Sequence, residues 1–279
     1  MKFGSGVRLG NWREDDALEE MRMADHIEAK EGGSLTLLKK KARLGPQLAP
    51  VTLTAAPSDG TMKIGDVCLL QSYFNNSTLS VCTSMSLPAA DAIDPDAMHP
   101  TVGSAPDAPP SARNAVKFVS YEGAAAGTPL CYGQKVCLEF SCAGEVGYLS
   151  SQRSGRSQLA TQVINKQEAF MQVPKGTTIP YDSCWTIEPV ECDERIIKQG
   201  TPVIAGSPFV IVHCFTLKRL AAVNVGIVTD FGRELGVCVH TYYDTSKVNK
   251  MMRETIGRPT HGLISRNETE ENYWGVVYA

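Results

Sequence analysis

The chain has 279 residues, 43% of them hydrophobic and 20% charged, which is ordinary for a globular protein and enough for one large domain or two small ones. A net charge of −3 and a pI near 6.0 supply no basic field, so neither nucleic acid nor an anionic membrane is expected as a partner. No run of eighteen apolar residues is present to span a bilayer, and the opening Met1-Lys2-Phe3-Gly4-Ser5-Gly6 lacks the apolar centre of an export signal.

Residues 1 to 12 read as an irregular Gly-rich leader ending in Gly10-Asn11-Trp12. The pattern then predicts a helix over 13–31, with a thin apolar stripe of Leu18, Met21 and Ile27, early acids suited to the positive end of its dipole, and a stop at Gly32-Gly33. Ser34 is expected to cap a second helix from Leu35 to about Leu44, which ends in the basic cluster Lys39, Lys40, Lys41 and Arg43. This pair has little core of its own and must lie on the rest of the chain or on a partner. The basic triplet reads first as a solvated helix end and second as a site for phosphate or an acidic protein surface. Trp12, alone in a Gly-rich leader, reads as an interface anchor.

From Val51 the pattern changes to short β-rich runs between turn signals: 66–71, 79–84, 116–121, 135–140, 146–150, 159–163, 169–173, 184–188, 209–214, 219–222 and 237–242. Such spacing predicts an all-β barrel or sandwich. Leu87 to Ala112 holds six of the sixteen prolines, so it is expected to be a disordered surface insertion that does not continue a ladder. After Asp244 the chain is expected to form a short helix, Ser246 to Thr255, and then an extended tail whose Tyr273, Trp274 and Tyr278 hint at docking.

Across the β region one unit sounds three times. Val67-Cys68-Leu69-Leu70 precedes Leu79-Ser80-Val81; Val136-Cys137-Leu138 precedes Tyr148-Leu149-Ser150; Val210-Ile211-Val212 precedes Leu220-Ala221-Ala222. Leu79, Leu149 and Leu220 stand about 70 residues apart. A repeat of this kind predicts three hairpins that bury their apolar faces together, because a single hairpin is marginal in water.

Signals for chemistry are weak. The nine cysteines are odd in number and irregularly spaced, and most lie in apolar runs (Cys68, Cys82, Cys137, Cys214, Cys238), so they read as reduced core thiols of a cytosolic chain. In that compartment the sequons at Asn75, Asn76 and Asn267 carry no sugar. His213-Cys214 and Cys238-Val239-His240 offer a zinc-like set, but alternate strand residues face opposite sides, so at most three ligands converge. Cys184-Trp185 after Asp182-Ser183 faintly suggests a cysteine nucleophile, but the run carries no family-specific context and Trp185 reads as core. No Walker loop, dinucleotide fingerprint, nucleophile elbow or His-Glu-x-x-His motif is present. Nothing here reads as an active site, no cofactor is implied, and the chain is expected not to be an enzyme.

Gly6-Val7-Arg8-Leu9-Gly10-Asn11-Trp12-Arg13-Glu14-Asp15 and the acidic Leu-Glu-Glu helix after it resemble the opening of the cilia- and flagella-associated protein 161 family. Tyr132-Gly133-Gln134-Lys135-Val136-Cys137-Leu138 with Tyr148-Leu149-Ser150-Ser151 fits the middle of that family. Val212-His213-Cys214-Phe215-Thr216, Leu220-Ala221-Ala222 and Val239-His240-Thr241-Tyr242-Tyr243-Asp244 follow in the same order, so the likeness runs from residue 6 to about 250. The resemblance implies a mainly β protein with a MIR-like β-trefoil core, from which the Pro/Ala insertion and the last thirty residues depart. With the pattern along the chain this gives a trefoil at 51–244 interrupted by a disordered insertion at 87–112, an N-terminal leader and helical arm at 1–50 and a C-terminal tail at 245–279. The resemblance also implies a structural microtubule inner protein in the axoneme of cilia and flagella, on the lumenal face of the A-tubule of doublet microtubules. Its partners would be tubulin and neighbouring inner proteins, with contacts expected at Arg8, Trp12, Arg13, Lys39, Lys40, Lys41, Arg43, Arg253 and Trp274. The alternative is a cytosolic trefoil that binds a glycan or a protein.

Overall fold

The computed structural model describes residues 12–82, 85–86, 99–103, 108–142, 145–153, 166–174, 176, 178–258 and 266–279. The chain divides into two compact units, Met1–Gln47 and Leu48–Ala279.

In the first unit, α1 spans Trp12–Glu31 and α2 spans Thr36–Gln47. The predicted stop is a Schellman cap: Gly33, at φ +64°, donates to Lys30 O (3.2 Å) and Ser34 N donates to Ala29 O (2.8 Å). Ser34 was expected to start the second helix. Its hydroxyl instead donates to Ala29 O at 3.1 Å, so it closes the first. The apolar stripe of α1 is uncovered: Leu18, Met21, Met23 and Ile27 are all exposed.

The second unit is built on a closed ring of six antiparallel strands. These are β1 (Val67–Ser72), β5 (Ala115–Ser120), β6 (Lys135–Cys142), β9 (Trp185–Pro189), β10 (Phe209–His213) and β13 (Tyr273–Val277). They pair in the order β1-β5-β6-β9-β10-β13 and back to β1, which leaves no open edge. Between the two ring strands of each third lies a further antiparallel pair. These pairs are β2 (Leu79–Cys82) with β4 (His99–Val102), β7 (Glu145–Ser151) with β8 (Gln167–Gln172), and β11 (Leu220–Thr229) with β12 (Gly232–Val239). A short β3 (Met85–Ser86) pairs with β11. The predicted strand at 159–163 lies outside the described residues.

The three-fold order reaches the backbone. Met62 N donates to Val203 O, Val203 N to Leu130 O and Leu130 N to Met62 O, at 2.8–2.9 Å, so a cycle of three hydrogen bonds closes one end of the ring. All three side chains are fully buried. Just after each member the chain turns into a ring strand through Gly65, Gly133 or Gly206, with φ of 93°, 79° and 81°. Only glycine adopts that region without strain.

Leu79, Leu149 and Leu220 lie in equivalent strands, Leu79 and Leu220 as first residues and Leu149 near the end of its strand, and all are fully buried. The matching Val-Cys-Leu text of β1 and β6 is not equivalent. Cys68 and Leu70 face the core in β1, whereas Val136, Leu138 and Phe140 do so in β6 and Cys137 faces away. A one-residue slip exchanges the faces of a strand. Two tryptophans complete the symmetry: Trp185 Nε1 donates to Leu149 O (2.7 Å) and Trp274 Nε1 to Leu220 O (3.0 Å). Each indole fills core volume while its one donor is satisfied.

Two expectations are corrected here. The insertion at 87–112 does continue a ladder: His99–Val102 pairs with β2, and Thr101 and Val102 pair with Gly236 and Leu235 of β12. Thr101, Ser111 and Ala112 are buried. Residues 87–98 and 104–107 lie outside the described residues. The tail is not an extended arm throughout, because Tyr273–Val277 is the sixth ring strand, seated between β1 and β10. Without it both neighbours would present unpaired backbone to water.

The turns before β2 and β11 are equivalent, and each needs a residue in the left-handed region. Asn76 takes it at φ 54° in the first; Leu217 takes it at φ 56° in the second. Asparagine tolerates this conformation, while an ordinary L-residue loses roughly 1–2 kcal/mol there. Leu217 is exposed, so no packing opposes a change. Leu217→Asn is expected to raise stability by about 0.5–1 kcal/mol. A urea midpoint at or below that of the parent chain would contradict this.

Candidate docking surface

One face of the β unit carries a helix mounted with its apolar side outward. The helix α4 spans Lys247–Thr255. Ser246 caps it, its hydroxyl accepting from Asn249 N (3.4 Å), and Asp244 accepts from Ser246 N (2.8 Å) and Asn249 Nδ2 (2.7 Å). Arg253 then fixes it to the β unit, with Nη1 3.2 Å from Glu191 Oε2 and Nη2 2.7 Å from Asp193 Oδ2. Arg258 Nη1 lies 2.7 Å from Glu191 Oε2.

Val248, Met251, Met252 and Ile256 follow helical spacing and form one stripe, and each is 65–67% exposed. Normally such a stripe faces a core. Here charge holds the polar side inward and leaves the apolar side in water. The short helix α3 (Arg195–Lys198), which begins two residues after Asp193, carries Ile196 and Ile197 at 86% and 80% exposure. Exposed apolar groups at this density mark a surface built for contact.

A cleft of about 360 Å³ adjoins the helix, lined among others by Asp244, Lys250 and Arg266 and by Met252 and Ile256 of the stripe itself. The buried Glu268 carboxylate sits at its base. Arg195 Nη2 hydrogen-bonds to Glu268 Oε2, and Arg219 Nε lies 2.9 Å from Oε1, too bent for a hydrogen bond. Glu188 lies 3.3 Å from Arg195 and 3.6 Å from Arg219. Two arginines and two glutamates thus neutralise each other under the helix.

The sequence-predicted contacts are scattered by this arrangement. Arg8 lies outside the described residues. Trp12 and Arg13 begin α1, while Lys39, Lys40, Lys41 and Arg43 lie on α2 in the other unit, where Lys39 and Lys41 are exposed. Arg253 is occupied by its two acids. Trp274 is fully buried in the ring, so it holds the fold together and cannot reach a partner. The exposed stripe of α4 has a signal in the sequence, apolar residues at i, i+3, i+4 and i+8, but only the tertiary ion pairs reveal which side points out.

The zinc-like set does not assemble. His213 is fully buried, its Nε2 donates to Asp182 O and its Nδ1 accepts from Thr216 Oγ1, both at 2.9 Å. Cys238 packs with Ala221 and Val223, and His240 rests edge-on against Tyr242. Among the described residues no three His, Cys, Asp or Glu side chains are placed to hold a metal. No helix among them is long and apolar enough to cross a membrane. The eight cysteines whose side chains are described are free thiols, and Cys214, expected in the core, is only half-buried.

Burial holds the His213 pKa below its ordinary value. The unfolded chain therefore takes up a proton more readily than the folded one as pH falls through about 6.5. Stability is fully present above that pH and falls below it, by at most about 1.4 kcal/mol per pH unit for this one site. His213→Gln keeps a donor near Asp182 O and removes the titration. Urea midpoints between pH 7 and 5 should then decline less steeply than in the parent chain; an unchanged slope would rule His213 out as the cause.

A family model described as a cilia- and flagella-associated protein 161-like domain matches residues 60–253. The chain is 30% identical over 264 residues to the Mus musculus cilia- and flagella-associated protein 161, covering 89% of this chain and 85% of that one. By structure it is similar to a Caenorhabditis elegans protein of unknown function (TM-score 0.53, 12% identity, 79% of this chain and 98% of that one). It is also similar to the SDF2-like protein from Arabidopsis thaliana (TM-score 0.51, 10% identity, 78% and 97%). At those identities the structural likeness speaks for the fold alone. The family match spans most of the closed ring together with α4, and the chain belongs to the cilia- and flagella-associated protein 161 family.

Proposed function

We propose that this protein is a structural, non-enzymatic component of cilia and flagella, a microtubule inner protein on the lumenal face of the A-tubule of doublet microtubules. The observation that carries this reading is family membership, which supports a ciliary and flagellar role. The lumenal site and tubulin as partner go further. They are supported by the physics: such a binder needs no positive field, and the chain has a net charge of −3. Its scaffold is rigid, a closed ring without open edges. We read the three-fold arrangement as a β-trefoil of MIR type. The contact surfaces on this reading are the outward stripe of α4 with Ile196 and Ile197, and separately the exposed apolar residues of α1. Neighbouring inner proteins and tubulin would cover them.

Extraction of isolated axonemes tests the proposal. The protein is expected to withstand a high-salt wash and to leave only when a mild chaotrope opens the doublet wall. Release by salt alone, or absence from the axoneme, would overturn it and favour a freely soluble binding module.

A further inference from the structure

Two thiols that lie 30 residues apart in sequence meet at the seam between the second and third repeats. Strands β9 and β10 pair through five residues, ending at His213 opposite Trp185. The next residues outward are Cys214 and Cys184, where one backbone bond still crosses: Cys214 N donates to Cys184 O at 3.0 Å, while Cys184 N turns back to Tyr181 O. The sulfurs already lie 3.2 Å from each other, with Cys184 as donor.

We propose that Cys214 and Cys184 form a thiol–disulfide exchange site, in which Cys214 attacks a small-molecule disulfide such as oxidised glutathione and Cys184 resolves the adduct.

The two thiols are unequal in the way this chemistry needs. Cys214 is half-buried at the start of the β10–β11 turn, whereas Cys184 is fully buried. The Cys184 S–H hydrogen bond stabilises a Cys214 thiolate, with the Lys135 ammonium adding positive charge; burial and Glu122 oppose. Lys135 itself lies 3.4 Å from Glu122. Cys184 is shifted the other way, held protonated by that hydrogen bond and by burial. Nearby Cys137 is buried, which pushes its thiol up to about 12 and keeps it out of the reaction.

The exchange balances without a further reagent. The Cys214 thiolate attacks one sulfur of oxidised glutathione; the Cys214–glutathione bond forms, the glutathione S–S bond breaks, and one glutathione leaves and takes a proton. Cys184 then loses its proton to water and attacks the Cys214 sulfur. The mixed disulfide breaks, the Cys184–Cys214 bond forms and a second glutathione departs. Two protein thiols are oxidised and one small disulfide is reduced. The sulfurs need only close from 3.2 Å to about 2.05 Å, within side-chain rotation.

The test is peptide mapping by mass spectrometry of the full chain, incubated folded with oxidised glutathione and alkylated without reduction. The expected result is a Cys184–Cys214 linked peptide, two hydrogens lighter than its parts, and a urea midpoint shifted upward. Cys214→Ser should abolish the link and leave Cys184 without glutathione, and Cys184→Ala should trap glutathione on Cys214. Adducts at the half-exposed Cys131 or Cys192 with no Cys184–Cys214 link in the parent chain would overturn the proposal. So would Cys184 acquiring glutathione in the Cys214→Ser chain as fast as the parent forms its link.

Discussion

Trp274→Ala is expected to cost about 3–5 kcal/mol of stability, enough to unfold much of the protein at physiological temperature. The side chain is fully buried in the sixth ring strand, and its indole N–H donates to Leu220 O at 3.0 Å. Removing it opens a large cavity where β13 joins β1 to β10, so loss of packing and loss of ring closure act together. Trp274→Phe should cost less, about 1–2 kcal/mol, because Leu220 O keeps a second donor in Asn272 Nδ2 at 3.1 Å. Urea unfolding of the full chain reads both. A loss below about 1 kcal/mol for the alanine variant would mean that the last strand is not integral to the ring.

Arg113 and Glu234 give the second large effect, with an opposite lesson in repair. Arg113 Nη2 donates to both Glu234 oxygens, at 2.8 and 3.0 Å, and Arg113 Nε to Val81 O at 3.2 Å. Thr101 and Thr229 hydroxyls donate to Glu234 Oε2 at 2.8 and 3.2 Å, and the guanidinium lies 3.8 Å above the Phe231 ring. Both charged side chains are nearly buried. Arg113→Met therefore strands a carboxylate in a low dielectric, and a loss of about 3–5 kcal/mol is expected. Adding Glu234→Leu to that variant should restore most of the loss, since the pair as a unit contributes little over apolar packing. Urea midpoints of Arg113→Met, Glu234→Leu and the double variant decide it: if the two single losses simply add in the double variant, the two side chains are not coupled.

These two sites divide the legible from the illegible. In the sequence Trp274 hints at docking because it stands in an apparent extended tail, out of step with the repeat. Its equivalents Val116 and Trp185 are 69 residues apart, but Trp185 and Trp274 are 89 apart. The third repeat carries α4 and its flanks before its last strand, which hides that strand from any search at a constant period. Thr101 was placed in a disordered stretch because its surroundings are rich in proline and alanine. Its burial comes from Glu234, 133 residues away, which no local window contains.

The repeat, by contrast, lay in the sequence itself. Leu79, Leu149 and Leu220 recur because three copies of one unit must each supply an apolar residue at the same point of a shared core. The first helix and its stop were equally local, written in Gly32-Gly33 and an uninterrupted helical run. The sequence by itself therefore determined the β class, the three-fold repetition and the two N-terminal helices, all governed by contacts within a few residues or by spacing.

Only the tertiary structure decided which residues close the ring, which side of α4 faces water, and that Cys184 meets Cys214. Each depends on pairing between segments whose separation follows from the number of residues inserted between repeats, and that number leaves no periodic trace. A thiol looks inert until the strand opposite brings its partner to 3.2 Å.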